Sequence, residues 1–280
     1  MAGGEIGVAW PESGGDGIVR VTLRHPGRLN AMSRGMWRDL RAVFQRIHAS
    51  PAARCVLVAG EGEAFCAGGD ISEYPGFRFD PASLRDFHEN DVWGGLSAML
   101  ECDVPIVAAI RGACMGAGVE IAACCDVRFA AASARFGAPI ARLGFPMAPR
   151  EAALVAQAVG DALARRMLLE AATVGAEALA AQGFLAQAVP DDQLADAAAA
   201  SAARITALAP QAARLNKQTL RACQRISVPF GLHAAESIEK FAIDNVANRA
   251  APGFDPYGYA RSAEHREGIA AFLEKRPPRF

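Results

Sequence analysis

The pattern of apolar and polar positions predicts three strands in the first half of the chain. Within residues 17–25, every second position from Val19 to Leu23 is apolar, which is the period of a strand with one buried face. Residues 54–60 and 104–112 are instead nearly continuous apolar runs. Such runs are typical of strands that are covered on both faces.

A helix is predicted over residues 33–48, because its apolar side chains recur with a helical period and form one face. Ser33 stands at the start as the expected N-cap, since its hydroxyl can accept from a free backbone N–H of the first turn. The apolar face consists of Met36, Leu40, Val43, Phe44 and Ile47.

The predicted elements run strand, helix, strand, loop, helix, strand, turn, helix, strand, and then mainly helices. Residues 71–81, with their aromatics and prolines, predict an irregular excursion, and a helix follows to about Glu101. Strand signals fade after 183–190. This order predicts an α/β core. We place a boundary near residue 205, between the core at 1–205 and a C-terminal helical domain at 206–280.

Two loops of small residues, 64–70 and 113–118, each follow one of the buried strands. Glycine in such loops permits positive φ or a close approach of backbone. Two bare loops side by side would offer two backbone N–H groups to one oxygen, which is an oxyanion hole. Either loop alone is more readily explained as a structural turn. Neither matches a phosphate-binding pattern, and no GxSxG motif is present.

The second loop leads into Glu120 and an apolar run. An acid in the first turn of a helix often only complements the helix dipole. One turn from an oxyanion donor, however, it would lie on the same face as that donor and could serve as an acid or base.

Composition narrows the class of protein. The chain has 280 residues, 52% of them hydrophobic, with a net charge of −1, which argues against disorder and against a nucleic-acid-binding surface. No signal peptide or membrane span is predicted. Seven cysteines without CxxC pairs predict a reduced, cytoplasmic protein without a metal site. The five histidines form no triad or metal spacing and are expected at the surface or at helix ends.

Four segments resemble the crotonase superfamily, the enoyl-CoA hydratases and isomerases: HPGRLNAMSRGMWRDL, AFCAGGDI, VPIVAAIRGACMGAGVEIAACCDVRFAAASARFGAP and EGIAAFLEKR. The resemblance implies an α/β fold, a spiral of ββα units followed by a C-terminal helical trimerisation segment. It also implies an acyl-CoA thioester as the substrate, no cofactor beyond that coenzyme A, and a homotrimer or dimer of trimers.

Functional residues carry over by position. Gly69 and Ala117 would donate the two oxyanion N–H groups, and Glu120 would be the catalytic acid or base. Lys275 would reach a CoA phosphate, often from a neighbouring subunit, or be a solvated helix charge. Asp70 would line the CoA cleft or fix its loop. The full set implied to bind CoA or substrate is Arg28, Leu29, Ala67, Gly68, Asp70, Ile71, Gly116 and Lys275.

One position departs from the resemblance. Hydratases of the superfamily carry a second glutamate where this chain has Ile140, so Glu120 is the sole obvious acid or base. Glu151, Glu73 and Tyr74 are candidates for the missing group. The segment 245–268 is also longer than the usual link between the last two helices of the superfamily. It would be a lid, a subunit contact or a plain surface loop.

These observations predict an enoyl-CoA hydratase-like lyase. The alternatives are an isomerase, decarboxylase or C–C lyase that uses the same enolate, or an acyl-CoA-binding protein with little turnover. Ile140 keeps the last alternative open.

Overall fold

The computed structural model describes residues 3–12, 15–226 and 258–278. Within these ranges the strands form a large and a small sheet. The large sheet has the order β1 (Glu5–Ala9), β2 (Ile18–Arg24), β3 (Cys55–Gly60), β4 (Ile106–Ile110), β6 (Val127–Ala131) and β9 (Gln187–Val189). Only the β1–β2 pair is antiparallel there. The small sheet consists of β5 (Ala113–Met115), β7 (Arg135–Gly137) and β8 (Thr173–Gly175).

The chain alternates between the two sheets, so that β4 and β6 lie in the large sheet while β5 and β7 follow them in the small one. Gly112 makes the first of these transitions with φ +56°. A Cβ there would lie 2.0 Å from the carbonyl oxygen of Glu63, so only glycine fits. This alternation confirms the predicted fold of ββα units.

Helices cover the sheets. They are α1 (Arg34–Ala49), α2 (Pro81–Asp86), α3 (Trp93–Glu101), α4 (Ala117–Ala123), α5 (Pro149–Val159), α6 (Asp161–Leu169), α7 (Ala176–Ala181), α8 (Leu194–Thr206), α9 (Pro210–Ile226) and α10 (Ala263–Leu273). Helix α1 packs on α3, and α8 packs on β3, β4 and β6. The predicted apolar face of α1 is buried, and Ser33 Oγ accepts from the N–H of Met36 at 3.2 Å.

Two stretches between the long elements shape the site. Residues Ile71–Gly76, within the predicted excursion, form a 3₁₀ turn capped by Asp70. The helix predicted up to Glu101 is divided, because a π-helical turn at Phe87–Val92 separates α2 from α3. π-Helical turns are rare and are often found at functional sites.

The described parts of 206–280 are helical, as predicted, and the boundary at 205 stays a prediction. Residues 227–257 lie outside the described residues, so the interpretations of 245–268 fall mostly outside them too. In the described ranges no helix is both long and apolar enough to cross a membrane. The six cysteines whose side chains are described are buried and unpaired with one another, as the prediction of small apolar side chains requires: Cys55, Cys66, Cys102, Cys114, Cys124 and Cys125.

Candidate active site

The two small-residue loops lie against each other, as the sequence predicts. The N–H of Met115 donates to the carbonyl of Cys66 at 2.9 Å, and Cys66 forms a parallel bridge with Cys114. The start of α4 also lies tightly on the first loop, since a Cβ at Gly118 would be 2.5 Å from the Cys66 carbonyl oxygen. The absence of side chains therefore has a steric cause at this junction.

The N–H of Gly69 points away from the neighbouring segment of the same chain, around Met32. In its parallel bridge with Met32, the N–H of Met32 donates to Gly68 and the N–H of Asp70 donates to Met32, both at 2.8 Å. The N–H of Gly69 itself, between these two bonds, points to the opposite edge. A Cβ at Gly69 would lie 2.2 Å from the hydroxyl of Tyr74, so this edge has room only for backbone.

Ala117 opens α4 and is buried. The N–H groups of a helix's first turn have no acceptor within the helix. Gly116 precedes it with φ +46° and donates its own N–H to Gly137 at 2.8 Å. The structure thus places both expected oxyanion donors on adjacent loops at one edge of the small sheet.

Glu120 lies one turn into α4 and is only 8% exposed. Burial raises its pKa to about 8, and the charge of Glu151 adds to this rise while that of Arg78 opposes it. At neutral pH the side chain is therefore mainly a protonated acid. The neighbouring thiol of Cys66 is inert as a nucleophile, because burial raises its pKa to about 12.

Glu151 is the second carboxylate of the site. It lies in the first turn of α5, is 3% exposed, and α5 packs on α4. Its Oε1 is 3.0 Å from Nδ1 of His88, which lies in the π-helical turn. The sequence leaves Glu120 as the sole obvious acid; the fold brings Glu151 close enough for its charge to raise the pKa of Glu120.

Arg78 supplies the positive charge of this region and is 1% exposed. Its guanidinium stacks on the rings of Phe145 at 3.9 Å and Tyr74 at 4.5 Å. Its Nη1 is 3.4 Å from Nε2 of His88. We call Glu120, Glu151, His88 and Arg78 the buried polar cluster.

The C-terminal helix α10 contributes His265 to the surroundings of Arg78. His265 of α10 packs edge-on against Phe79 and Phe145. Burial, with the charge of Arg78, lowers its pKa to about 4, so it is neutral at physiological pH. The expectation that histidines lie at the surface or at helix ends is wrong for His25, which is buried, and for His88, whose side chain is only 11% exposed within the π-helical turn. His265 does lie at a helix end, in the first turn of α10, but is buried there.

The residues expected to bind CoA form a surface next to the first loop. Arg28 is exposed and donates to Asp70 at 3.0 Å. Leu29 is 58% exposed and has φ +47°, and its carbonyl accepts from Ala67 at 3.0 Å. Gly68, which lies between Ala67 and Asp70 in the loop, has φ +117°.

Asp70 has the loop-fixing geometry. It is buried, and its Oδ1 accepts from the backbone N–H of Ser72 at 3.1 Å and from the Ser72 hydroxyl at 2.7 Å. Ile71 is half-buried. Lys275 is exposed beyond the C-terminal end of α10, and this helix packs on the turn Ile71–Gly76 of the same chain.

The three candidates for the missing acid differ in their exposure and in the groups that they contact. Glu73 is exposed and accepts from the backbone N–H of Arg34 at 2.8 Å, which directs it to the start of α1. Tyr74 is buried with its hydroxyl beside Gly69. Glu151 is the one whose charge acts on Glu120. Ile140 begins a 3₁₀ turn and packs on the core.

Sequence reasoning missed His88 and Arg78. Neither lies in a motif; His88 reaches Glu151 from the π-helical turn, and Arg78 in turn reaches His88. The described residues contain no cluster of three or more His, Cys, Asp or Glu side chains suited to a metal ion.

The fold and the site define a crotonase-fold protein, in which two bare loops meet beside a buried carboxylate. Solved structures agree: an enoyl-CoA hydratase/carnithine racemase from Magnetospirillum magneticum is 31% identical, with a TM-score of 0.74 over 100% of this chain and 96% of that one. A methylmalonyl-CoA decarboxylase reaches a TM-score of 0.78 over 100% and 99%, but at 23% identity it shows the fold alone.

A family model described as enoyl-CoA hydratase/isomerase matches residues 13–280. The chain belongs to this family. A "probable enoyl-CoA hydratase" of Rhodobacter capsulatus is 31% identical and is aligned over 95% of each chain. The 2,3-dehydroadipyl-CoA hydratase of Escherichia coli is 27% identical over 94% of each.

Proposed function

We propose that this protein is an enoyl-CoA hydratase, a lyase that adds water across the double bond of a 2-enoyl-CoA thioester. The observation that carries the proposal is Glu120, buried one turn into α4 where the bare loops 64–70 and 113–118 meet. Membership of the enoyl-CoA hydratase/isomerase family supports it. Coenzyme A enters as part of the substrate, and no further cofactor is proposed.

In this mechanism the thioester oxygen accepts from the N–H groups of Gly69 and Ala117. Water adds to C3, the electron pair of the double bond moves into the thioester, and the resulting enolate oxygen is stabilised by these two donors. Loss of one such donor typically costs about 10²- to 10³-fold in kcat. The protonated form of Glu120 delivers a proton to C2, and the proton that the added water gives up returns to Glu120 to restore its protonated form.

The surface formed by Arg28, Leu29, Ala67, Gly68 and Ile71 is proposed to hold the CoA moiety, with Asp70 fixing the loop and Gly116 placing Ala117. Lys275 is proposed to reach a CoA phosphate. We further propose a homotrimer or a dimer of trimers, located in the cytoplasm.

The test is hydration of crotonyl-CoA and longer 2-enoyl-CoAs, followed by the loss of absorbance of the conjugated thioester. We expect turnover in the wild type and a fall of about 10²- to 10⁴-fold in kcat in Glu120→Gln. Tight binding of CoA esters without turnover on any of these substrates would contradict the proposal and favour the acyl-CoA-binding protein.

A further inference from the structure

We propose that Glu151 is the second catalytic carboxylate of this enzyme, held in place by His88, and that it takes the proton from the water that adds to C3. This inference rests on the proposed hydratase function and extends it. Ile140 occupies the position at which the family carries a second acid, so no carboxylate is present there. Glu151 supplies the carboxylate from a different element, the first turn of α5.

Burial is the first reason for this assignment. Glu151 is 3% exposed and Glu120 is 8% exposed, and two carboxyl groups in one apolar region are costly unless they are paired. The helices that carry them pack on each other. A surface acid incidentally near the site would have neither property.

The hydrogen bonds of His88 are the second reason. Nδ1 lies 3.0 Å from Glu151, and Nε2 lies 3.4 Å from Nη1 of Arg78. Because an arginine can only donate, Nε2 is the acceptor and Nδ1 carries the proton that it donates to Glu151. His88 thereby donates to the carboxylate of Glu151 and orients it.

Charge balance is the third reason. The buried polar cluster contains one fixed cation, Arg78, and therefore accommodates one carboxylate anion at little cost. Glu151 is the carboxylate at which a donor is aimed, so we assign it the role of the anion, and a charge there raises the pKa of Glu120. Pairs of carboxyl groups whose environments separate their proton affinities divide the roles of base and acid.

The resulting step balances. Glu151 accepts one proton from water as the C3–O bond forms, the C2=C3 electron pair moves into the thioester to give the enolate, and Glu120 gives its proton to C2. Transfer of a proton from Glu151 to Glu120 after product release restores the starting state. His88 does not touch the substrate in this scheme and is a positioning residue.

The experiment measures kcat and KM for crotonyl-CoA across pH in the full-length wild type, Glu151→Gln and Glu89→Gln. Glu89 is the matched control, since it lies in the same π-helical turn as His88 but pairs with Arg150 at 3.1 Å. In Glu151→Gln we expect a fall of about 10²- to 10⁴-fold in kcat, with KM changed less than about threefold. Glu89→Gln should retain wild-type kcat.

The pH profile separates catalysis from a structural role. The groups facing the two carboxylates are His88 and Arg78, with Cys66 and Cys124 near Glu120. Wild-type kcat/KM should be bell-shaped, with the base on the acidic limb and Glu120 on the alkaline limb. Glu151→Gln should lose the acidic limb. A fall in the melting temperature with an unchanged profile would overturn the proposal.

His88 is tested by two replacements. His88→Asn retains a donor near the position of Nδ1, and His88→Leu removes it. Since a hydrogen bond to the charged form favours that form, we expect His88→Leu to move the acidic limb to higher pH and His88→Asn to restore it. Equal profiles in both variants would overturn the positioning role.

The two proposals fail in different ways. A wild type that hydrates no 2-enoyl-CoA removes the proposed function, and the role of Glu151 with it. A wild type that hydrates crotonyl-CoA, together with Glu151→Gln within about threefold of its kcat, removes the role of Glu151 alone. If Glu151→Gln does not fold, Glu151→Asp takes its place: it keeps the charge, withdraws the carboxylate by one methylene, and should still lower kcat.

Discussion

Glu120 is a buried side chain whose protonation links the stability of the fold to the function that we propose for it. Its ordinary pKa is 4.5, and burial raises this to about 8 in the folded chain, with a further contribution from the charge of Glu151 and an opposing one from Arg78. The folded state therefore favours the protonated form. This is the form that the proposed mechanism requires as a proton donor, and burial of Glu120 is what favours it.

The first prediction concerns the pH dependence of stability. Between about pH 4.5 and 8 the folded state binds more protons than the unfolded state at Glu120, so the free energy of unfolding falls as pH rises through this window. The stability that the protonated form provides is complete below the unfolded pKa and is lost by pH 8. Glu120→Gln cannot titrate. It should therefore gain stability relative to the wild type as pH rises, by up to a few kcal/mol at roughly 1.4 kcal/mol per pKa unit.

Urea unfolding of both proteins at several pH values from about 4.5 to 9 measures this difference. Glu170→Gln is a suitable control, because Glu170 is 63% exposed and pairs with Arg166 on the surface of α6. A constant difference between Glu120→Gln and the wild type over the whole range would contradict the raised pKa.

The residues of the candidate site differ in how far the sequence alone identifies them. Small residues around 64–70 and 113–118 have a local signature, so Gly69 and Ala117 could be named from the sequence as expected donors. The structure has them on adjoining loops, and their role stays a prediction. Arg78 and His88 have none. Their role depends on which side chains the fold brings to α5, and no spacing along the chain contains that information. Glu151 could be named as a candidate, but not distinguished from Glu73.

Among the secondary-structure elements, helix α4 owes its position to Gly118, because glycine has no Cβ. A Cβ there would lie 2.5 Å from the carbonyl oxygen of Cys66 and 3.1 Å from its Cβ. Both atoms belong to the loop that carries Gly69. Any side chain at Gly118 must therefore separate the helix from that loop and move Ala117 away from Gly69.

The second prediction compares two glycines in equivalent positions. Gly118 and Gly35 are each the second residue of a helix, but a Cβ at Gly35 would meet its nearest neighbour, Ser33 Oγ, at an ordinary 3.7 Å. Gly118→Ala should lower stability by about 1–3 kcal/mol through overpacking and kcat by at least tenfold. Gly35→Ala should be neutral or stabilise by up to about 1 kcal/mol.

Thermal unfolding and crotonyl-CoA hydration of the two variants provide the measurement. The pair controls for the general effect of alanine near a helix start. Should Gly118→Ala keep wild-type stability and turnover, the close packing of α4 on the first loop would not be what positions the site.

Element length explains most differences between the predicted and observed fold. Strands β2, β3 and β4 have five to seven residues, enough to show alternation or a continuous apolar run, and they are found where the sequence predicts them. Strands β5, β7 and β8 have three residues each, which is too few for a period. They form because neighbouring strands offer hydrogen bonds, and this is a tertiary cause.

At the scale of the whole molecule, the question is how firmly the C-terminal helices belong to the core. Helix α9 is attached mainly by polar contacts: Asp103 accepts from Arg221 and from Gln218, both at 2.7 Å, and Lys217 pairs with Asp126 at 2.7 Å. Its apolar side chains Leu215 and Leu220 are 52% and 65% exposed. In the part of α9 whose side chains the structure describes, attachment is mainly through polar groups, which predicts a unit that opens before the core does.

The third prediction follows from this attachment. Asp103→Ala removes the carboxylate that receives Arg221 and Gln218, and should weaken the docking of α9 by about 1–3 kcal/mol. Since about 1.4 kcal/mol is a factor of ten in an equilibrium constant, amide hydrogen exchange in α9 should accelerate by roughly 10- to 100-fold. Exchange in β4, at the centre of the large sheet, should change little. Such selective acceleration would agree with a domain boundary near 205, because two units would then open independently. An equal acceleration in α9 and β4 would instead make core and helix one cooperative unit, in which the boundary has no thermodynamic meaning.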